Sequence, residues 1–131
     1  MTFAQMVYPG YEVPGHLRTL SDHLHAIEAG KLRRLIVTMP PRHGKSLTTS
    51  ELFPAWFLAR NPDKRIILSS YASTLAQRFS RSVRNLLGSS SFQAIFADTV
   101  LARDSRSTWA WDIRGRNGGM IAAGAGSGIT G

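Results

Sequence analysis

The chain has 131 residues, 43% apolar and 18% charged, a balance that suits one globular domain with a real core and excludes wholesale disorder. Sixteen basic residues against eight acidic ones give a net charge of +8, and thirteen of the sixteen are arginine; nucleotide or nucleic acid is the natural partner, unless the matching acidic surface lies on another subunit or a missing part of the chain. No cysteine is present, which excludes disulfides and thiolate metal sites; no apolar run reaches the roughly 20 residues of a membrane helix and the start lacks signal-peptide character, so a soluble, cytoplasmic protein is expected.

Residues 1–15, with the two Pro-Gly pairs of YPGYEVPG, read as an extended arm, and residues 16–131 as one domain. From His16 to Ala29, Leu17, Leu20, Leu24 and Ile27 recur at helical steps, and Gly30 closes the helix. LRRLIVTM, residues 32–39, is a short apolar run bounded by Pro40 and predicts a strand buried on both faces. Residues 45–60 read as a helix that Pro54 must kink or end. NPD (61–63) is a turn, and KRIILSSY (64–71) a second strand. The stripe Leu75, Phe79, Val83, Leu86, Leu87 is the clearest helix, with Gly88 placed for a left-handed cap. SSSFQAIF (89–96) suits a short helix and LARDSRS (101–107) a loop. Trp109, Trp111 and Ile113 alternate with polar or small residues, which suits a strand whose two tryptophans pack the core. Asn117-Gly118 then signals a hairpin into a glycine-rich end, GMIAAGAGSGITG. Strand, loop, helix, strand, helix is the order of a βαβ unit, so an α/β fold with a parallel sheet flanked by helices is expected.

The stretch RLIVTMPPRHGKSLTTS, residues 34–50, carries the chemistry. A phosphate-binding loop needs backbone N–H groups converging on an anion, a lysine for the β- and γ-oxygens, a hydroxyl for Mg²⁺, and a helix N-terminus behind. Gly44-Lys45-Ser46 supplies the second half of G-x-x-x-x-G-K-[ST], between an apolar run and a helix, but Met39 stands where the first glycine belongs. The binding set is Pro41, Arg42, His43, Gly44, Lys45, Ser46 and Leu47 around ATP, with Ser46 on Mg²⁺. Lys45 and Arg42 are the candidate catalytic cations, Arg42 balancing charge that develops on the transferred phosphoryl group. Arg42 as a surface ion-pair former is the competing reading. His43 offers its backbone N–H, while Pro40 and Pro41 stiffen the loop.

MPPRHGKS, then FPAWFLARNP, IILSSYASTLAQRFSRSVRNLL, the tryptophan-bearing strand and GAGSGITG together resemble the large subunit of tailed-phage terminases, the DNA-packaging motors, over residues 16 to 131. The resemblance covers a deviant Walker A loop of the form P-P-R-x-G-K-S, which accommodates Met39. It implies a P-loop ATPase domain that hydrolyses ATP with Mg²⁺ to move double-stranded DNA into capsids. It also implies ring-forming self-association, with portal and small terminase subunit as partners, in the cytoplasm of a bacterial host. The family's Walker B carboxylates and its RNase H-like nuclease domain have no counterpart here: the eight acids are scattered. A partial ATPase domain, cut before the Walker B strand, is therefore expected, with turnover weakened by the 10²–10⁴-fold or so that general-base help is worth.

Two other classes fit the same residues: a small-molecule P-loop kinase, against which SSYASTLAQ offers no substrate-binding acid, and a basic DNA-binding or assembly module whose loop no longer hydrolyses anything. Arg78, Arg81 and Arg84 form either a solvated helix face or a surface for DNA or a neighbour's ATP. His16, His23 and His25 match no metal-ligand spacing. Tyr8 and Tyr11 are candidates to cover an adenine ring, and the sequence leaves that open.

Overall fold

The computed structural model describes residues 2–105 and 107–126, and it begins with a helix inside the segment expected to be an extended arm. Helix α1 (Thr2–Val7) buries Ala4 and Val7, and Phe3 meets Phe92 edge-on with ring centroids 6.0 Å apart. The i, i+4 pairing of Phe3 with Val7 puts both on one face, which a core partner then selects. Pro9-Gly10 follows it as a turn, whereas Pro14-Gly15 starts the next helix, with Pro14 as its N-cap.

Helix α2 (Gly15–Glu28) matches the apolar period, with Leu17, Leu20 and Leu24 buried. Its end is a paired cap: Gly30 N–H donates to Ile27 O at 3.0 Å and Lys31 N–H to Ala26 O at 2.9 Å, which satisfies two carbonyls the last turn leaves open.

The predicted strand at 32–39 is a correction. The segment is extended, but no strand pairs with it among the described residues. It is not buried on both faces either. Leu35, Val37 and Met39 lean on the α2 leucines, whereas Ile36 is 92% exposed. The period-2 pattern set the backbone shape; a ladder needs a neighbour as well.

One helical rod follows the loop, made of α3 (Lys45–Leu47), a π-helical turn at Thr48–Leu52 and α4 (Phe53–Arg60). The π turn explains how Pro54 is accommodated without ending the rod. Proline has no N–H and its ring crowds the carbonyl four residues earlier; just ahead of it, Phe53 N–H bonds Thr48 O, five residues back, loosening the turn.

Strand β1 (Arg65–Ser70) leads into α5 (Ser73–Leu87) and α6 (Ser90–Ile95), then β2 (Ala110–Asp112) and β3 (Gly119–Gly124). Gly88 is right-handed, φ −81°, and not the expected left-handed cap. The chain runs directly into α6, whose N-cap Ser89 Oγ accepts from Phe92 N–H at 3.3 Å, so no reversal is required. The sheet has order β1-β3-β2 and is mixed: β1 and β3 run parallel across α5, as the expected parallel sheet requires, and β2 and β3 form the antiparallel hairpin that Asn117-Gly118 signals. The parallel βαβ pair thus joins 65–70 to 119–124 and does not include 32–39.

Ile66, Leu68, Trp111 and Met120 share the inner face, over which the rod and α5 pack Leu52, Leu58, Val83 and Leu87. Trp111 is buried and donates Nε1–H to Ser80 Oγ at 2.9 Å. Trp109 does not join this core; it is 42% exposed. Across the outer face Arg65 pairs with Asp112 at 2.9 Å over Gly119, their common ladder neighbour. A β-carbon on Gly118 would stand 2.0 Å from Pro62 O, so only glycine lets the hairpin approach the 61–63 turn. No helix among the described residues is long and apolar enough to cross a membrane.

Candidate phosphate-binding site

Residues 40–44 turn the chain from the extended segment into the rod. Two of them are left-handed: Arg42 at φ 62° and Gly44 at φ 82°. The left-handed φ is what favours glycine at 44; a β-carbon there would also come within 2.9 Å of Leu17 Cδ1, a side-chain tip that would have to shift. Arg42 holds a conformation that costs a non-glycine residue about 1–2 kcal/mol, a strain that has to be supported by its surroundings.

The support comes from two histidines. His43 Nδ1–H donates to Pro41 O at 2.7 Å, and His16 Nε2–H donates from α2 to His43 O at 3.0 Å. Two loop carbonyls are thereby occupied by imidazoles. The amides show the opposite state: among the described residues, the N–H groups of Arg42, His43, Gly44, Lys45, Ser46 and Leu47 meet no acceptor, and the first helical bond is Thr48 N–H to Gly44 O at 3.0 Å. Two positive-φ residues flanking His43, with successive free amides, make the kind of concavity that holds anions. The rod behind adds the positive end of its dipole.

The charged groups agree with the amides in sign. Lys45 is half-buried and Arg42 exposed, and among the described residues no carboxylate lies within ion-pair distance of either. Ser46 is exposed next to Lys45, placed as a hydroxyl ligand for a cation that accompanies phosphate. Leu47 contributes its backbone only, since its side chain packs on the main core. Pro41 lies at the exposed turn.

No family model, no curated protein and no solved structure matches the chain.

His16 is the site residue that sequence reasoning missed. It was weighed with His23 and His25 as a metal ligand, but those two donate to Thr19 O and Ser21 O within α2, and His16 alone reaches the loop. Its position at the start of a helix whose leucines pack under Gly44 is the only trace in the sequence. Tyr11, considered for an adenine ring, is spent on packing: it touches both apolar clusters, and its hydroxyl lies 3.1 Å from Thr48 Oγ1. Of the three arginines of α5, Arg84 reaches Ser107 O at 3.2 Å. Glu51, on the π turn, is pushed above the usual carboxylate range by burial, against the pull of a Ser82 hydrogen bond and the Arg78 charge. Residues 127–131, the end of GAGSGITG, lie outside the described residues.

Proposed function

We propose that residues 41–47 bind the phosphates of ATP with Mg²⁺, and that the chain is the ATP-binding part of a terminase large subunit. The observation that carries this reading is the run of six amides without acceptors, 42 to 47, beside two cations without carboxylates. A fixed concentration of donors with no internal partner is stabilised by an anion of matching size, and a phosphate group supplies several acceptor oxygens. In this reading Lys45 takes the β- and γ-oxygens, Ser46 the Mg²⁺, and Arg42 the charge that grows on the transferred group. The proposal extends to double-stranded DNA, a ring of like subunits, the portal and the small subunit as partners of the complete motor, with the basic charge of the chain in support of the first.

A P-loop NTPase-like sheet is part of the proposal, and the α/β fold with a parallel β1–β3 pair supports it. Binding is the activity proposed for these residues by themselves. Glu28, Asp63 and Asp112, the acids in ion pairs, are held by Arg60, Arg116 and Arg65.

Equilibrium binding of a fluorescent ATP analogue with Mg²⁺ tests it on the native chain and on Lys45→Ala. A charge-assisted hydrogen bond is worth about 1.5–3 kcal/mol, so roughly 10- to 100-fold weaker binding is expected of the variant. Equal weak signals from both proteins overturn the proposal in favour of a module that binds no nucleotide.

A further inference from the structure

A two-lobed cleft lies between α1, α2 and the rod. Its inner lobe has a volume of about 210 Å³, with Phe3, Leu24, Leu52, Phe53 and Trp56 as apolar lining and the hydroxyls of Ser21 and Thr48 as polar points. The outer lobe, about 320 Å³, shares Thr2, Ser21 and His25 with it and is lined by Arg18, Asp22 and Gln5, a more polar wall.

Size and lining specify a ligand class. An apolar cavity of roughly 150 Å³ admits a benzene ring, so the inner lobe has room for a one- or two-ring aromatic. The wall is aromatic already: His25 lies 4.7 Å from Trp56, ring to ring, at 58°, and Phe53 is 6.2 Å from Trp56. Offset and tilted ring contacts of that kind are favourable beyond their buried area. The two hydroxyls have acceptor capacity left. Ser21 Oγ makes only a long 3.4 Å contact with His25 Nδ1, which donates instead to Ser21 O at 2.7 Å. Thr48 Oγ1 has one partner, Tyr11, and a hydroxyl oxygen has two lone pairs.

We infer that this cleft is a binding site for a planar heteroaromatic molecule carrying a ring N–H, stacked beside Trp56 and donating to Ser21 or Thr48. The inference stands on the cleft alone and is independent of phosphate binding. Trp56 lies eleven residues beyond Lys45, about 16 Å along the rod at 1.5 Å per residue, so the stacking end of the ring site is distant from the loop, while its Thr48 end lies three residues beyond Lys45. Its floor and the loop nonetheless belong to one rod, through Thr48 and Leu52.

Indole is the probe: two rings and one N–H donor. Titration followed by saturation-transfer NMR and calorimetry is expected to give saturable binding with Kd on the order of a millimolar or below, the range a nine-atom ligand can reach. Ala4→Leu, which grows a side chain into the inner lobe, should abolish it; Trp56→Leu should weaken it at least about fivefold; Lys45→Ala should leave it unchanged. Circular dichroism of each variant confirms that the fold persists, and Ser21→Ala, which changes one oxygen, gives a readout if Ala4→Leu does not fold, with weaker binding expected. Absence of saturable indole binding to the native chain overturns the inference. So does native-like binding by both Trp56→Leu and Ser21→Ala, or one-for-one displacement of indole by the ATP analogue, which would make the cleft part of a nucleotide site.

Discussion

The sheet half and the loop half of this molecule are built to different standards. Under the sheet, Trp111, Phe92, Leu58, Leu87, Ile113 and Met120 are each less than 2% exposed. Beneath the loop, three leucines of α2 are buried, and their partners Leu35, Val37 and Met39 are only half covered on a segment without ladder bonds. The chemistry-bearing residues therefore ride on the thinner core. Regions with few buried apolar contacts open at low free-energy cost, so the loop half is expected to exchange its amides first and the sheet half to set global stability.

The largest test of that contrast is Trp111→Ala. It removes a fully buried ring and leaves Ser80 Oγ without the indole donor, and losses of about 3–5 kcal/mol are typical for such a truncation. Urea unfolding should show the whole transition moving to lower denaturant. If the midpoint hardly moves, the sheet half does not carry global stability.

Leu20→Ala should cost less than Trp111→Ala, near the low end of the roughly 2–5 kcal/mol range, because the half-covered surroundings can relax. Its signature is spatial. Hydrogen exchange should accelerate at α2 while the amides of β3 keep their protection. Uniform acceleration would mean that the halves unfold as one unit.

His16→Ala is expected to leave urea stability within about 1 kcal/mol, since one exposed hydrogen bond is lost. The same change should weaken binding of the ATP analogue several-fold, because Arg42 loses a support for its left-handed backbone. Binding at native strength would show that the loop holds its shape without α2.

The legible parts of the fold are those whose pattern is local and strong. α2 and α5 follow from 3.6-residue stripes, the 110–124 hairpin from alternation and an Asn-Gly signal, and the disturbance at Pro54 from the missing donor. Residues 32–39 show the limit of such reasoning: alternation fixes an extended backbone, but pairing depends on distant residues that no local pattern names. α1 was hidden by its length, six residues, too short for a periodic signal and held by Phe92 and Phe96 from far along the chain. At the loop, Gly44, Lys45 and Ser46 were readable as types. The strained Arg42 and its two histidine supports were not, because a positive φ at arginine has no compositional mark.

The smallest expected effect lies at the seam between the halves, where Glu51 of the rod faces Ser82 and Arg78 of α5, with Tyr8 near it. Burial raises the Glu51 carboxyl above its unfolded value, so the folded state holds this proton more tightly than the unfolded chain does. Its contribution is unfavourable above the raised value and is relieved as pH falls through that value toward the ordinary glutamate range, near 4.3. Glu28 works the other way. The Asn61 hydrogen bond lowers it, with a further contribution from Arg60, so its stabilisation is present above the unfolded value and lost as pH falls through the folded one. Glu51→Gln keeps a hydrogen-bonding partner for Ser82 and removes the buried charge. The unfolding temperature of this variant should therefore exceed that of the native chain slightly at pH 7, and the difference should shrink as pH falls toward the ordinary glutamate range and native Glu51 takes up its proton. A variant less stable than native at pH 7 would mean that Arg78 and Ser82 outweigh burial, and that the seam is held by charge.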